Sequence, residues 1–344
     1  MQIIQKTNNK NMQRTNRIFW IDQMRGLAMI WVYFAHVGIP SYYYGLFSYW
    51  FIPYFFFLSG YLHKDETTIK QLRKRITNRL LVPYILFSII PIISSLLENT
   101  NKDSITNNII ALVTGRGNWF FACIITMEII SFCLSKIICM YPLYRNKIIS
   151  IIIIIGVISM YMVQPRSEIW WHADTAICAM TYYYSGYIYR RSSLNQYQGK
   201  WSYVALFILT IISMFIYINK ILDFNVSINI FGEPIINLIL AITGSITTAL
   251  FLQKINIKGH ILSFLGQNTI WLYGINYYML SIANKISDNI GITTLNLYIY
   301  VPIKVALAIA IGSLLVIPIN RWFPWANGKT KQIEYKLYPL AELN

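Results

Sequence analysis

Asp22-Gln23-Met24-Arg25-Gly26-Leu27-Ala28-Met29-Ile30-Trp31-Val32-Tyr33-Phe34-Ala35-His36 lies inside an apolar run from Ile18 to about Pro40. A run of about 20 residues is enough for a helix to cross a bilayer, yet this one carries an acid, a guanidinium and an imidazole. At about 100° per residue, Asp22, Arg25 and His36 fall within roughly 60° of one another, with Met29 and Val32 on the same stripe. Arg25 and His36 are then about 16 Å apart along the axis, at about 1.5 Å per residue. Ionisable side chains are costly in hydrocarbon, so the stripe is expected to face a protein interior or a wet cavity.

The rest of the chain repeats this apolar character. Of 344 residues, 56% are hydrophobic and 12% charged, about half the roughly 25% charge of a soluble domain. Ten apolar segments can be drawn, at 18–38, 46–62, 80–97, 118–140, 147–164, 174–190, 202–219, 234–252, 261–283 and 298–318. The eighth reads as interrupted by Gly232, Pro234 and Gly244. The expected fold is all-α: a polytopic integral membrane protein of about ten transmembrane helices. Its expected parts are an N-terminal tail at 1–17, a membrane domain at 18–320 and a C-terminal tail at 321–344. The first apolar run is too long for a signal-peptide core and reads as a retained span.

The net charge of +16 suggests a nucleic-acid partner until the charges are placed. Most of the 29 basic residues lie in alternate connecting segments: Lys6 to Arg17, Lys64 to Arg79, Arg145 and Lys147, Arg190 to Lys200, Lys254 and Lys258, and Arg321 to Lys336. The intervening loops hold only Lys102, Arg116, Arg166, Lys220 and Lys285. Positive charge stays on the cytoplasmic side, so both termini are expected there, in a cell membrane, and the charge reflects topology. Cys123, Cys133, Cys139 and Cys178 all lie in apolar segments with no metal-ligand spacing, so they read as packing and no metal site is expected.

Several polar groups could carry chemistry. His36 reads either as a general base near the outer end of the first span or as a histidine satisfied by a neighbouring helix. Asp22 and Arg25 have the spacing of an i,i+3 ion pair. Ser59 and Gly60, in Phe55-Phe56-Phe57-Leu58-Ser59-Gly60-Tyr61-Leu62, suit close helix approach. Arg75 and Arg79 suit phosphate oxygens, although the run from Lys70 to Arg79 could also simply touch anionic lipid. Glu128 lies nine residues after Trp119. It is either a catalytic carboxylate or one half of an ion pair with Arg25 or Lys304. His172 and Asp174, which open the sixth segment, could line an acceptor site or be solvated. His63 and His260 sit in basic loops and read as solvated, while Asn268 and Asn276 in the ninth segment could bridge helices.

Taken in order, these pieces resemble the membrane acyltransferase-3 family, polytopic O-acyltransferases that decorate cell-surface sugars. The matching pieces begin with D-x-x-R-G with a histidine eleven residues after the arginine (Asp22, Arg25, Gly26, His36), F-F-F-L-S-G-Y-L and K-R-x-x-x-R-L-L-x-P-Y. N-W-F-F, Y-Y-Y-S-G-Y-I-Y-R-R and L-G-Q-N-T-I-W-L-Y follow. The resemblance implies a ten-helix fold and acyl-CoA, typically acetyl-CoA, as a donor reached from the cytoplasm. It also implies a sugar or polysaccharide acceptor at or beyond the outer face. It makes His36 catalytic and ties Arg25 and Arg75 to donor binding or site architecture. Glu128 is then a second catalytic candidate, Arg79 a further donor contact, and Asp22, Trp119 and Asp174 candidate substrate contacts. Many members have a histidine where this chain has Asn276, so any role it has elsewhere is missing or altered here. The family's optional outer esterase-like domain is not expected, which keeps acyl transfer within the membrane part.

Two rival readings use the same features differently. A transporter or flippase of a polysaccharide precursor also buries charges within spans, and Gly/Pro-broken segments in both halves would favour it. A surface-polysaccharide polymerase would call for a large basic outer loop, and the outer loops here are short.

Overall fold

The computed structural model describes residues 18–38, 42–65, 67–98, 102–165, 169–196, 201–255 and 260–329. The expected tail at 1–17 and residues 330–344 of the expected tail at 321–344, together with Lys200 and Lys258, lie outside the described residues. No strand occurs among the described residues; one isolated bridge joins Asn225 to Ile230.

Each of the ten apolar segments is helical. The first three helices are α1 (Phe19–His36), the short α2 (Tyr42–Phe47) and α3 (Phe51–Tyr61). Next, α4 (Ile69–Ile76) runs through a π-helical turn (Thr77–Leu81) into α5 (Val82–Leu97), and α6 (Lys102–Thr114) follows. The middle of the chain forms α7 (Trp119–Met140), α8 (Arg145–Met162), α9 (Ala173–Arg191) and α10 (Ser202–Ile218). The last four are α11 (Pro234–Ile255), α12 (His260–Gln267), α13 (Thr269–Asn289) and α14 (Leu297–Trp322).

Helix is the form that satisfies every backbone group within one segment, as hydrocarbon demands. Hydroxyls inside these helices follow the same logic. Ser59 donates to Phe55 O, Ser135 to Ser131 O and Ser185 to Thr181 O, each one turn back. Among the described residues, five stretches are long and apolar enough to cross a membrane: Ile69–Leu97, Arg116–Met140, Pro142–Met162, Pro234–Ile255 and Leu297–Trp322. The chain is a membrane protein, all-helical over the described residues. The Ile-rich face of α8 shows why: Ile149 and Ile152 are buried, whereas Ile151, Ile154, Ile155 and Ile158 are exposed along its outer side.

Two close helix crossings set the frame for the site. On α3, a side chain at Gly60 would strike the Tyr183 carbonyl, and on α9 one at Gly186 would strike the Phe57 carbonyl. On α1, Gly26 meets the Leu262 carbonyl, and on α12, Gly266 meets the Asp22 carbonyl. Small residues let these backbones touch, which is the main source of packing between helices when lipid surrounds them.

Two local expectations are corrected. The eighth segment is not interrupted: α11 is a continuous 22-residue helix. Pro234 opens it, where a missing N–H costs nothing. The break falls instead in the ninth segment, at Asn268, between α12 and α13. Asn268 Oδ1 there accepts from Asn320 at 2.9 Å, Asn327 at 2.7 Å and Lys329 at 2.7 Å. A polar residue at the break thus ties α12 and α13 to the end of α14. Asn276, in contrast, is buried and accepts from the Tyr277 N–H at 2.6 Å.

Candidate active site

The cationic side chains converge on one cavity of about 560 Å³. Arg25 reaches it from α1, Arg75 from the end of α4, Arg79 from the π-turn and Lys64 from the loop after α3. Thr68 fixes the start of α4 by a reciprocal capping box with Gln71, itself a lining residue. The π-turn then re-aims the chain between Arg75 and Arg79, a device often found at functional sites. Glu128 lines the same cavity from α7.

The partner of Glu128 is neither Arg25 nor Lys304 but Arg75, at 2.5 Å. The contact is an ion pair without aligned hydrogen-bond geometry; Glu128 Oε2 and Arg75 Nε have no hydrogen-bond partner among the described residues. Lys304 does something different. It is buried and donates to the Val37 carbonyl at 3.2 Å and to Asn284 Oδ1 at 2.9 Å. Val37 caps the C-terminus of α1, directly after His36, so a buried cation sits where the helix dipole is negative.

His36 lines a second, smaller pocket of about 120 Å³. Trp119 and Ser48 share that lining, as does the loop Phe224, Asn225, Val226 and Ser227. His36 itself is exposed, so its imidazole stands at the rim of this pocket. Tyr273 lines both the basic cavity and the histidine pocket. Its ring lies 4.9 Å from Phe120 and 5.6 Å from Phe121, and Phe120 lies 5.2 Å from Phe55. An aromatic partition thus separates the cations from the imidazole.

The remaining candidates fall outside these two linings. Asp22 is buried beside α12, where its carboxylate accepts from Gln267 at 3.5 Å. Asp174 is also buried; its oxygens accept from Asn229 at 2.9 Å and from the Thr175 N–H at 2.9 Å. Thr175 in turn donates to Asn229 Oδ1 at 2.7 Å. This geometry pins the 225–230 turn to the start of α9, so Asp174 bears on the histidine pocket through its loop wall.

His63 was expected to be solvated and is buried instead. Tyr183 OH lies 2.6 Å from its Nδ1 and Ser135 Oγ 2.7 Å from its Nε2. Ser135 spends its own proton on the Ser131 carbonyl, so Nε2 carries the hydrogen and Nδ1 accepts. Burial, the dominant effect and only partly offset by Asp65, pushes His63 down to about 4. Ser135, His63 and Asp65 have the composition of a hydrolase triad but not its geometry. Asp65 approaches the same nitrogen as the serine, at 3.5 Å, and the serine is buried. Arg191, bonded to Asp65 at 2.8 Å, closes the cluster. His260 is exposed, as expected.

Sequence reasoning missed Tyr273, Ser48, the 224–227 wall and the burial of His63. Tyr273 alone carried a signal, as the last residue of the I-W-L-Y element. No group of three or more His, Cys, Asp or Glu among the described residues could hold a metal.

Comparison with curated proteins and with solved structures gave no match. A protein family described as "Acyltransferase domain" matches residues 18–319, from the start of the histidine-bearing helix nearly to the end of α14. That span contains both cavities and every element that lines them, and the chain belongs to the membrane acyltransferase-3 family.

Proposed function

We propose that this membrane acyltransferase is an O-acyltransferase that moves an acetyl group from acetyl-CoA to a hydroxyl of an exported or cell-surface sugar. In this reading ten spans at 18–320 cross the cell membrane with both tails in the cytoplasm. The basic cavity opens to the cytoplasm, and the histidine pocket opens outward. Arg75 and Arg79 take the CoA phosphates, with Arg25 deeper along the pantetheine path. Arginine forks suit phosphate oxygens, and a confined site strengthens each contact. The ion pair with Glu128 gives that acid the task of holding Arg75 in place. His36 takes the proton of the sugar hydroxyl while its oxygen attacks the thioester carbon. The C–O bond forms, the C–S bond breaks, and the proton passes to the departing thiolate to give free CoA. Trp119 offers the sugar an apolar face.

The observation that carries this reading is the shared wall. One tyrosine separates a cavity lined by four cations from a pocket lined by an imidazole. The rival transporter reading draws on the helix break at Asn268, since broken helices often bind ions. Here the freed carbonyl group of that side chain is already occupied by three donors, and acyl transfer remains the better account. The test supplies radiolabelled acetyl-CoA to membranes containing the protein. Label is expected in the saccharide fraction, together with released CoA. Saccharide transport without CoA consumption would overturn the reading.

A further inference from the structure

We infer that Tyr273 is the residue that sets acyl-chain length, restricting the donor to acetyl and similarly short thioesters. The inference rests on the acyl-transfer reading and deepens it.

A donor held by the cations must present its thioester carbonyl at the partition, because the base lies beyond it. Tyr273 is the one described residue that lines both spaces. Its ring is not free to swing. Phe120 and Phe121 lie against it at 4.9 and 5.6 Å, and both are buried. Phe120 is backed in turn by Phe55 at 5.2 Å and Trp119 at 5.5 Å. The next residue, Gly274, packs its backbone onto the Phe87 ring, which fixes that turn of α13 against α5. Displacing a ring set in such a close-packed group means displacing its neighbours too.

The space beyond the ring is small. The histidine pocket holds about 120 Å³, against about 560 Å³ for the basic cavity. A hexanoyl group brings four more methylenes than acetyl past the Tyr273 ring and into the smaller of the two spaces. The acyl C–S bond can break and the C–O bond form only if the carbonyl reaches His36, so a long chain must stop short.

The experiment compares radiolabelled acetyl-CoA and hexanoyl-CoA as donors, supplied to the cytoplasmic face of inverted vesicles that hold the protein and its polysaccharide. The readout is the ratio of label transferred. Wild type is expected to favour acetyl at least 100-fold, since each methylene too many against a fixed apolar wall is worth about tenfold or more. Tyr273→Ala is expected to narrow that ratio at least tenfold, and Tyr273→Phe, which keeps the ring, to leave it unchanged. Tyr273→Val serves as a second opening variant should the alanine form fail to fold, with thermal unfolding as the check. A folded opening variant with the wild-type ratio overturns the role of Tyr273, as does a wild type that uses both donors equally. No transfer from either donor by wild type overturns the acyl-transfer reading as well. The two failures are thereby told apart.

Discussion

Arg75 of α4 and Glu128 of α7 meet at 2.5 Å on the wall of the basic cavity, and Glu128 is the more buried of the two. An acid placed to hold a cation has a different kinetic signature from one that moves protons. Glu128→Gln is expected to raise the KM for acetyl-CoA about tenfold, the ~1.4 kcal/mol of one charge-assisted contact, and to lower kcat far less. A collapse of kcat at unchanged KM would make Glu128 a catalytic acid or base. Removing the cation alone strands a buried carboxylate. Arg75→Ala is therefore expected to cost about 3 kcal/mol of stability, with part recovered in the double variant with Glu128→Gln. Thermal unfolding of the detergent-purified proteins measures both.

The His63 cluster gives a pH dependence unrelated to catalysis. Its folded pKa of about 4 lies below the ordinary 6.5. Between those values the unfolded chain binds the extra proton, so His63 adds stability above about pH 6.5 that is lost as pH falls towards 4. The slope from one proton is at most about 1.4 kcal/mol per pH unit. Melting temperatures at pH 7.5, 6.5 and 5.5 are expected to fall more steeply in wild type than in His63→Gln. Parallel curves would show that His63 is not the group responsible.

The crossing of α3 and α9 depends on backbone contact. A side chain at Gly60 meets the Tyr183 carbonyl, next to the His63 hydrogen bond. Gly60→Val is expected to cost at least about 2 kcal/mol through overpacking, seen as a lower yield of folded protein. Normal yield and melting temperature would mean that the helices can separate there without loss.

Asp174 bears on the histidine pocket through Asn229 and the turn it anchors. Asp174→Ala is expected to loosen the 224–227 wall and raise the KM for the sugar acceptor several-fold, leaving the acetyl-CoA KM nearly unchanged. An equal rise in both would place Asp174 in the general framework rather than behind the acceptor pocket.

Much of this architecture is written locally. The apolar segments could hardly be anything but helices, and the stripe from Asp22 to His36 reads directly from its 3.6-residue period. Gly60 was legible as a close-packing residue, although not its partner on α9. What local pattern cannot hold is the pairing of distant segments. Glu128 looked equally suited to Arg25 and Lys304, whereas the folded chain brings Arg75, at the end of α4, to it. His63 looked solvated because its neighbours in sequence are charged, whereas its neighbours in space are Tyr183 and Ser135. The break at Asn268 escaped notice because an asparagine is a weaker signal than a proline, and its three donors lie more than fifty residues away. Tyr273 was part of a quoted element, but its position between two cavities belongs to the packed bundle alone.

The central claim is that an imidazole on one side of the Tyr273 partition draws on a donor held on the other. Acetylated polysaccharide from cells carrying His36→Ala, compared with wild type at equal protein level and melting temperature, tests it most directly. The account predicts a loss of at least about 100-fold, the usual contribution of a general base. Acetylation kept at the wild-type level would contradict it.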